Sequence, residues 1–566
     1  MHVALLALAF QLHAPALSAV AQRSSERTPS DSARDLSRAR GAQANFERSR
    51  RAHLPFGDRG NGRCDVRLGR YCWWYDEHVP TFPPEEAAIG ERRQELLAQL
   101  DLAAAHYPGD DWLAGMRVHY RVDGHQFAAA DSVAGECRAT GWWCSALAGY
   151  AAHSGGDAHR ADSAFALAVA GLPAEESCSW RDIAPLLSDG DRDVYEHRSC
   201  DARRALETRY WLLSRPQFST GGNEWQNEFN VRRVLNWLGE RAATPHLLSW
   251  GKDAAELVLR YGWPTAWSRT VTAMGSMQEP GIIGHDPAPS FSFAPSGWLA
   301  DSLKPLPPDA WDLSAPRAEA RYAPPMVKRV ASVAAQFARF RRGDSTLLVA
   351  AFAAQDDSLR TLVARLGAAG VDGITALSEP DTAHVGRTRV MLGTTPWIVG
   401  IDVADTTTRT LARTRRAFVP GADSARLSLS DLLVYRAGED PAPSLDSALV
   451  RAVPGDTVTR DRALGIFWET YGLSSEGETV DIAVSVERVD HGWIRSARQK
   501  LGLTPMDTPI RIKWSDARTS VGKAAAHAIS LDLANLDAGR YRLTLTLVPA
   551  SGVPVAALRE VELIDR

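Results

Sequence analysis

The spacing of hydrophobic residues changes along the 566-residue chain, and the changes divide it into predicted segments. Apolar positions follow the helical period between residues 85 and 210, and they alternate with polar positions after residue 331, as in strands. The pattern predicts a multidomain α+β protein with helices first, a mixed α/β domain next and β-sandwiches last. The predicted divisions are a signal peptide (1–21), a disordered linker (22–60), a helical repeat domain with disulfides (61–207), a mixed domain (208–300), a proline-rich connector (301–330) and two β-sandwiches (331–440 and 455–566).

The amino terminus carries an apolar run at residues 3–10, much shorter than the roughly 20 residues that a membrane-spanning helix needs. Ala19, Val20 and Ala21 form the small-x-small pattern that signal peptidases cleave. We therefore expect an exported protein that is periplasmic, cell-envelope or secreted, with no transmembrane segment in the mature chain. The segment 22–60 has nine Arg and few apolar residues, which predicts disorder. A basic arm that contacts anionic lipid or polysaccharide is the alternative.

Large apolar residues recur every three or four positions in the helical segment, as at Leu96, Leu97 and Leu100. Two later helices resemble the halves of a tetratricopeptide repeat. The matching residues are Trp143, Leu147, Tyr150, Phe165, Ala168 and Pro173. In such repeats, small residues on one helix admit the large side chains of the next. A plain helical bundle remains the alternative, and either arrangement is typical of a protein that binds a protein partner.

The segment that follows contains Asn223 as a candidate N-cap, a helix beginning at Glu224, and an apolar run at 257–259 before Gly262. It resembles the GWxTD domain, a bacterial family named for its Gly-Trp-x-Thr-Asp motif. The residues that carry the resemblance are Tyr210, Trp211, Arg215, Pro216, Thr220, Asn223, Glu224, Glu228, Arg232, Arg233, Trp250, Asp253, Pro264 and those at 257–262. Ser249, Lys252 and Thr265 depart from the family pattern. The resemblance implies an exported protein with this order of modules, and it implies no activity or catalytic residues.

The GWxTD-like motif predicts a loop that is followed by a buried strand at 257–259. Trp250 is then a core plug, and Asp253 caps the backbone or pairs with Arg260. The alternative is a binding pocket lined by Trp250, Asp253, Arg260 and Trp263.

Two carboxylates on the preceding predicted helix are also candidates for a binding site. Glu224 and Glu228 lie one helical turn apart. Arg232 follows Glu228 by four positions, which favours an ion pair over a pair of reacting carboxylates. We expect an ion-pair network there.

All six cysteines lie in the first 200 residues, at Cys64, Cys72, Cys137, Cys144, Cys178 and Cys200. Their even number in an exported chain predicts disulfides, since their spacings match no zinc pattern. Pairing of sequence neighbours is the simplest of fifteen connectivities, and the sequence leaves the choice open. Trp73, Trp143 and Trp180 lie close to these cysteines and predict a local core.

The carboxyl-terminal half predicts two immunoglobulin-like sandwiches, because short alternating strands are separated by Gly-Asp and Gly-Thr-Thr turns. The net charge of −4 gives no indication of nucleic-acid binding. The familiar hydrolase, zinc-protease and nucleotide-binding motifs are absent from the sequence, and we expect no metal or cofactor. Two interpretations stay open: a non-enzymatic cell-envelope scaffold that holds a protein partner, or a cell-envelope enzyme or glycan-binding protein with its site in the central domain.

Overall fold

The computed structural model describes most of the chain between residues 29 and 565. The described ranges are 29–57, 65–69, 71–73, 84–219, 221–246, 250–270, 282–285, 290–299, 308–313, 318–325, 327–356, 358–360, 362–370, 375–393, 395–418, 427–473, 478–489, 510–518, 524–549 and 553–565. The predicted signal peptide lies outside these ranges. None of the helices in these ranges is long and apolar enough to cross a membrane.

Helices make up the amino-terminal part of the described chain, which confirms the α+β fold class together with the sheets that follow. They are α1 (Pro29–Ala52), α2 (Ala87–His106), α3 (Asp111–Asp123), α4 (Phe127–Gly135), α5 (Gly141–Ser154), α6 (Ala158–Ala170), α7 (Ala174–Arg181), α8 (Asp189–Glu196), α9 (Cys200–Leu213), α10 (Glu224–Gly239) and α11 (Lys252–Tyr261), with α12 (Leu445–Val450) among the strands. Polar side chains begin several of them, since Asp110, Asp157, Ser199 and Asn223 each accept a hydrogen bond from a first-turn amide.

The prediction of a disordered linker over 22–60 is wrong where the structure describes it. Residues 29–52 form α1, which packs against α2. Phe46 is one of its few apolar side chains. It is buried and meets the ring of Tyr120 edge-on at 5.2 Å. Buried charged groups supply the rest of the contact, and composition alone does not reveal that these groups have partners.

Helices α2 to α6 pack as consecutive neighbours. Gly149 of α5 lies so close to α6 that a Cβ there would be 2.9 Å from the ring of Phe165. Trp143, Leu147 and Tyr150 are buried in the same core. The expected small-against-large packing is therefore present, while the tetratricopeptide assignment itself stays a prediction.

Helix α10 has two apolar faces and lies between two cores. Trp225 and Phe229 enter one core with Trp211 of α9. Val234 and Leu238 enter the core of the helical stack. This position makes α10 the link between the helical part and the rest of the molecule.

The predicted strand at 257–259 is wrong, because these residues belong to the helix α11. Ala254, Leu257, Val258 and Tyr261 are buried at helical spacing. A Glu256–Arg260 ion pair of 2.7 Å closes one turn on the same helix. A short apolar run fits a strand and a buried helix equally well, and here the helical period over the longer segment decides.

A small sheet and a hairpin adjoin α11. Their strands are β1 (Phe56–Gly57), β2 (Val66–Leu68), β3 (Tyr71–Trp73), β4 (Ala266–Thr270) and β5 (Ile282–His285). Strand β4 pairs in parallel with β1 and antiparallel with β5, while β2 pairs with β3. The residues that follow α1 are thereby joined to the central domain.

The carboxyl-terminal half is built from strands. They are β6 (Arg329–Arg342), β7 (Ser345–Ala354), β8 (Leu362–Gly370), β9 (Thr375–Leu377), β10 (Val385–Leu392), β11 (Trp397–Asp405), β12 (Thr410–Arg413), β13 (Arg416–Phe418), β14 (Ser428–Leu429), β15 (Leu433–Arg436), β16 (Thr457–Thr459), β17 (Leu464–Tyr471), β18 (Glu478–Arg488), β19 (Ile510–Arg518), β20 (Ala525–Leu531), β21 (Gly539–Pro549) and β22 (Val555–Ile564). The sheets are β10-β7-β6-β12-β11-β8-β9 with β13 beside β11, then β14, β15 and β20 around β17, then β16-β22-β21-β18-β19.

Neighbouring sheets in this half pack against each other through common cores. Phe352 of β7 faces the core of the first sheet, while its neighbour Ala351 faces a second core together with Phe467 of β17. Ile466 and Trp468 of β17 point the other way, into a third core against β18 and β21. Strand β17 is thus buried on both faces, and the β part is a continuous stack of layers.

Two predicted boundaries need correction. Strands β14 and β15 pair with β17, so the predicted first sandwich at 331–440 ends too late and its last strands belong with the second. The predicted connector at 301–330 is wrong in part, because Trp311 and Tyr322 are buried in the core around α10. Immunoglobulin-like topology stays a prediction.

Candidate functional site

Trp250 and Trp263 lie together beside α10. Their rings stack at 5.9 Å, and a Cβ on Gly239 would be 2.7 Å from the Trp250 ring. The edge of His119 from α3 meets Trp263 at 5.7 Å. The cavity that reaches Trp263 holds about 10 Å³, too little for a ligand. Both rings are partly buried and pack against the core of the helical stack, and the core-plug interpretation of Trp250 stays a prediction.

Asp253 and Arg260 stand at opposite ends of α11 and do not pair. Asp253 is exposed in the first turn. Arg260 is buried in the last turn and forms ion pairs with Glu256 at 2.7 Å and with Glu319 at 2.5 Å. The expected Asp253–Arg260 pair is therefore wrong, because residues seven apart on a helix lie two turns from one another.

Glu228 forms the centre of a buried network. It accepts a hydrogen bond from Arg232 Nε at 2.7 Å and lies 3.0 Å from His153 Nε2. Arg232 also donates to the carbonyl oxygens of Leu259 and Arg321, at 2.9 Å and 3.0 Å. Burial would raise the pKa of Glu228, but Arg232 and His153 outweigh it and hold that pKa at about 2. The expected ion-pair network is present.

Glu224 differs from Glu228 although it lies one turn away. Burial raises the pKa of Glu224 above its usual range, while His153 and Arg215 oppose the shift. Two neighbouring carboxylates with pKa values moved in opposite directions are a known arrangement of acid and base groups. Neither carboxylate lines any of the cavities described here.

A second ionic cluster joins α1 to the helical stack, and sequence reasoning missed it. Asp123 accepts hydrogen bonds from Arg50 and from Arg93, the latter at 2.7 Å. Glu47 accepts from Tyr120 Oη at 2.6 Å. Burial would raise the pKa of Asp123, yet the two guanidinium groups lower it. All five residues were available in the sequence, but the disorder prediction for α1 removed two of them from consideration.

A buried Ser268–His285 pair was also missed. Ser268 Oγ lies 2.7 Å from His285 Nε2, across strands β4 and β5. His285 ends strand β5, and the following Asp286 lies outside the described residues. Both side chains are almost inaccessible, at 3% and 2% exposure, so a substrate has no path to them in the described structure.

The helical part carries an open groove, defined by residues of α2, α3, α4 and α5 around a volume of about 350 Å³. We refer to it as the helical groove. Its lining residues are Ala104, Tyr107, Pro108, Ala114, Arg117, Val133, Gly135, Glu136, Cys137, Arg138 and Leu147. Leu147 and Ala114 are buried in its wall, and Arg117, Glu136 and Arg138 supply charges of both signs to its lining.

Two disulfides stabilise the helices. Cys137 pairs with Cys144, and Cys178 pairs with Cys200, which confirms two of the neighbour pairings left open by the sequence. Cys64 lies outside the described residues, so the third possible pairing, of Cys64 with Cys72, stays a prediction. Within the described ranges we find no free cysteine and no cluster of three or more residues able to hold a metal ion.

Comparisons with known proteins do not assign the chain to a family. No protein-family model and no curated protein matches the chain. Similar solved structures include Bacteroides uniformis beta-glucuronidase, with 12% identity over 39% of this chain and 26% of that one and a TM-score of 0.17. Red sea bream transglutaminase has 9% identity over 41% and 31%, with a TM-score of 0.12. The chain spans less than a third of either protein, and TM-scores this low carry no argument about fold or function.

Proposed function

We propose that the protein is an exported, non-enzymatic scaffold of the bacterial cell envelope that holds a protein partner on its helices. The observation that carries the proposal is that predicted site residues already have partners within the fold. Glu228 and Arg260 are engaged in ion pairs, and Trp250 packs on Trp263. The charged side chains could turn to a substrate only by leaving a buried partner unpaired, which is costly.

The proposal includes membership of the GWxTD-like family. The upstream and downstream halves of the matching pattern contact one another, since Arg232 donates to the carbonyl oxygen of Leu259 on α11 at 2.9 Å. Gly262 has a φ of +93°, and a Cβ there would be 3.0 Å from Arg232. Contact between the two halves supports a single structural unit with Arg232 at its centre.

The partner-binding surface that we propose is the helical groove. It adjoins the Cys137–Cys144 disulfide and is held rigid by the core beneath it, in which Leu147 and Ala114 are buried. A preformed groove costs little conformational entropy when it binds an extended peptide. The disulfides and the described helices, none of which spans a membrane, are compatible with an exported protein.

Site-specific photo-crosslinking in an exporting bacterium tests this function. A crosslinking amino acid at Arg138 on the groove rim is expected to capture one defined protein, whereas the same group at Leu558, 63% exposed on a strand of the outer sheet, captures none. Equal labelling at both positions would contradict the proposal. So would turnover of a cell-wall polymer by the purified protein that Glu224→Gln abolishes.

A further inference from the structure

The Cys178–Cys200 disulfide differs from the other described disulfide in its electrostatic surroundings. Cys200 is the first residue of the 14-residue helix α9. Arg181 Nη2 donates to Cys200 Sγ at 3.6 Å. Both cysteines are partly exposed.

We propose that this disulfide is a thiol–disulfide exchange site, at which an external thiolate attacks Cys178 Sγ and Cys200 leaves as the thiolate. The co-reactant is a small thiol or the dithiol of an oxidoreductase. In the first step the Cys178–Cys200 bond breaks and a mixed disulfide forms between Cys178 and the attacking sulfur, with no net change in oxidation state. A second thiol then attacks the mixed disulfide, which releases the oxidised co-reactant and leaves both cysteines reduced after transfer of two electrons and two protons.

Cys200 is the better leaving group for two reasons. The amides of the first turn of a helix and a neighbouring guanidinium both stabilise a thiolate. Cys178 lies in the second half of the eight-residue helix α7, where the helix dipole disfavours negative charge. The direction of attack follows, since the sulfur whose thiolate is more stable departs faster.

The Cys137–Cys144 disulfide is the internal control. Cys137 follows the carboxyl-terminal end of α4, and Cys144 is the fourth residue of α5, one turn in from its beginning. In the described part of the chain no guanidinium donates to either of these sulfur atoms. Both cysteines are partly exposed, like the proposed pair.

Opening the proposed site leaves its surroundings folded. Tyr195 Oη donates to Glu207 at 2.8 Å, which joins α8 to α9 independently of the disulfide. Arg181 also pairs with Glu207 at 3.3 Å. Ile183 and Tyr195 are fully buried in the core beside them. Exchange therefore breaks the covalent link and leaves the packing in place. The exchange proposal does not depend on the scaffold function.

The test treats the full-length oxidised protein with glutathione, quenches with an alkylating reagent and quantifies each cysteine by mass spectrometry. We expect Cys178–Cys200 to open about ten times faster than Cys137–Cys144, with glutathione attached to Cys178 and Cys200 alkylated. Equal rates for the two disulfides, or glutathione attached mainly to Cys200, would overturn the proposal.

Variants separate the electrostatic cause from a structural one. Arg181→Gln should slow opening of Cys178–Cys200 by roughly three- to tenfold, whereas Arg138→Gln, beside Cys137 in sequence, should leave the opening rate of Cys178–Cys200 unchanged. Asp201→Asn should speed opening about twofold, because it removes an exposed negative charge next to Cys200 without touching the buried ion pair. Unchanged rates in both Arg181→Gln and Asp201→Asn would overturn the role of charge.

Discussion

Glu228 shows how single residues decide between a structural and a catalytic interpretation. Its spacing from Arg232 predicted an ion pair, and the pair is present. The contact with His153, which lies 75 positions away, is a product of tertiary packing and had no signal in the sequence. Sequence spacing identifies partners on one helix, but partners from other elements appear only once the fold is known.

Glu228→Gln tests the network through its dependence on pH. The folded-state pKa of about 2 lies below the ordinary value, so the ionised carboxylate stabilises the folded protein above the unfolded-state pKa, and this contribution is lost as the pH falls towards 2. We expect Glu228→Gln to lower the free energy of unfolding by roughly 3 kcal/mol at pH 7 and by almost nothing near pH 2. Urea unfolding at a series of pH values measures the difference. Parallel curves for the two proteins would contradict the prediction.

His119 predicts a second pH dependence at a higher pH. Burial is the main cause that lowers its pKa to about 4, with Arg50 and Arg93 adding to the effect and Asp123 opposing it. The unfolded chain binds the proton first, so stability should fall by up to roughly 3 kcal/mol between pH 6.5 and pH 4.

His119→Gln should remove this slope, as measured by denaturant unfolding across that pH range. His197→Gln is the matched control, because its side chain is 77% exposed and should leave the slope unchanged. A slope that persists in His119→Gln would show that other groups cause it.

At the scale of elements, the sequence predicted strong periodic segments and failed where local preference and tertiary context disagree. The segment of β22 is rich in Ala, Leu, Glu and Arg, which favour helix, yet it pairs with β21 along its length. Helix α1 is polar enough to suggest disorder, yet Asp123 and Tyr120 from α3 supply partners for its charged groups. In both cases another element provides the stabilisation, so the segment alone could not reveal it.

Gly149→Ala tests the close approach of α5 to α6. The added methyl would lie 2.9 Å from the Phe165 ring, so we expect a loss of about 1–3 kcal/mol from overpacking. Gly90→Ala in α2 is the control, since nothing lies within 4 Å of the added Cβ, and it should stabilise the protein by up to about 1 kcal/mol. Thermal unfolding measures both changes. If Phe165→Leu fails to restore part of the stability lost in Gly149→Ala, the contact is not the cause.

At the scale of the whole molecule, the helical and β parts are joined by a buried polar contact. Asp402 of β11 accepts from the amides of Phe218 and Ser219, at 2.6 Å and 2.9 Å, and pairs with Arg415 at 2.5 Å. A Cβ on Gly367 would be 2.6 Å from Phe218 Cβ, so the helical segment lies directly on the sheet. The sequence predicted separate modules, and it gave no sign that they share this junction.

Asp402→Ala should therefore separate the unfolding of the two parts. The substitution leaves Arg415 buried without its carboxylate, at 1% side-chain exposure, and removes the acceptor for two amides, which together cost about 3–5 kcal/mol. We expect calorimetry to resolve two transitions in this variant, because the β stack keeps its own cores while the helical part loses its link. The control is Asp446→Ala, which breaks an exposed ion pair with Arg389 and should cost less than about 1 kcal/mol. A single transition with unchanged midpoint in Asp402→Ala would mean that apolar packing alone couples the helices to the sheets.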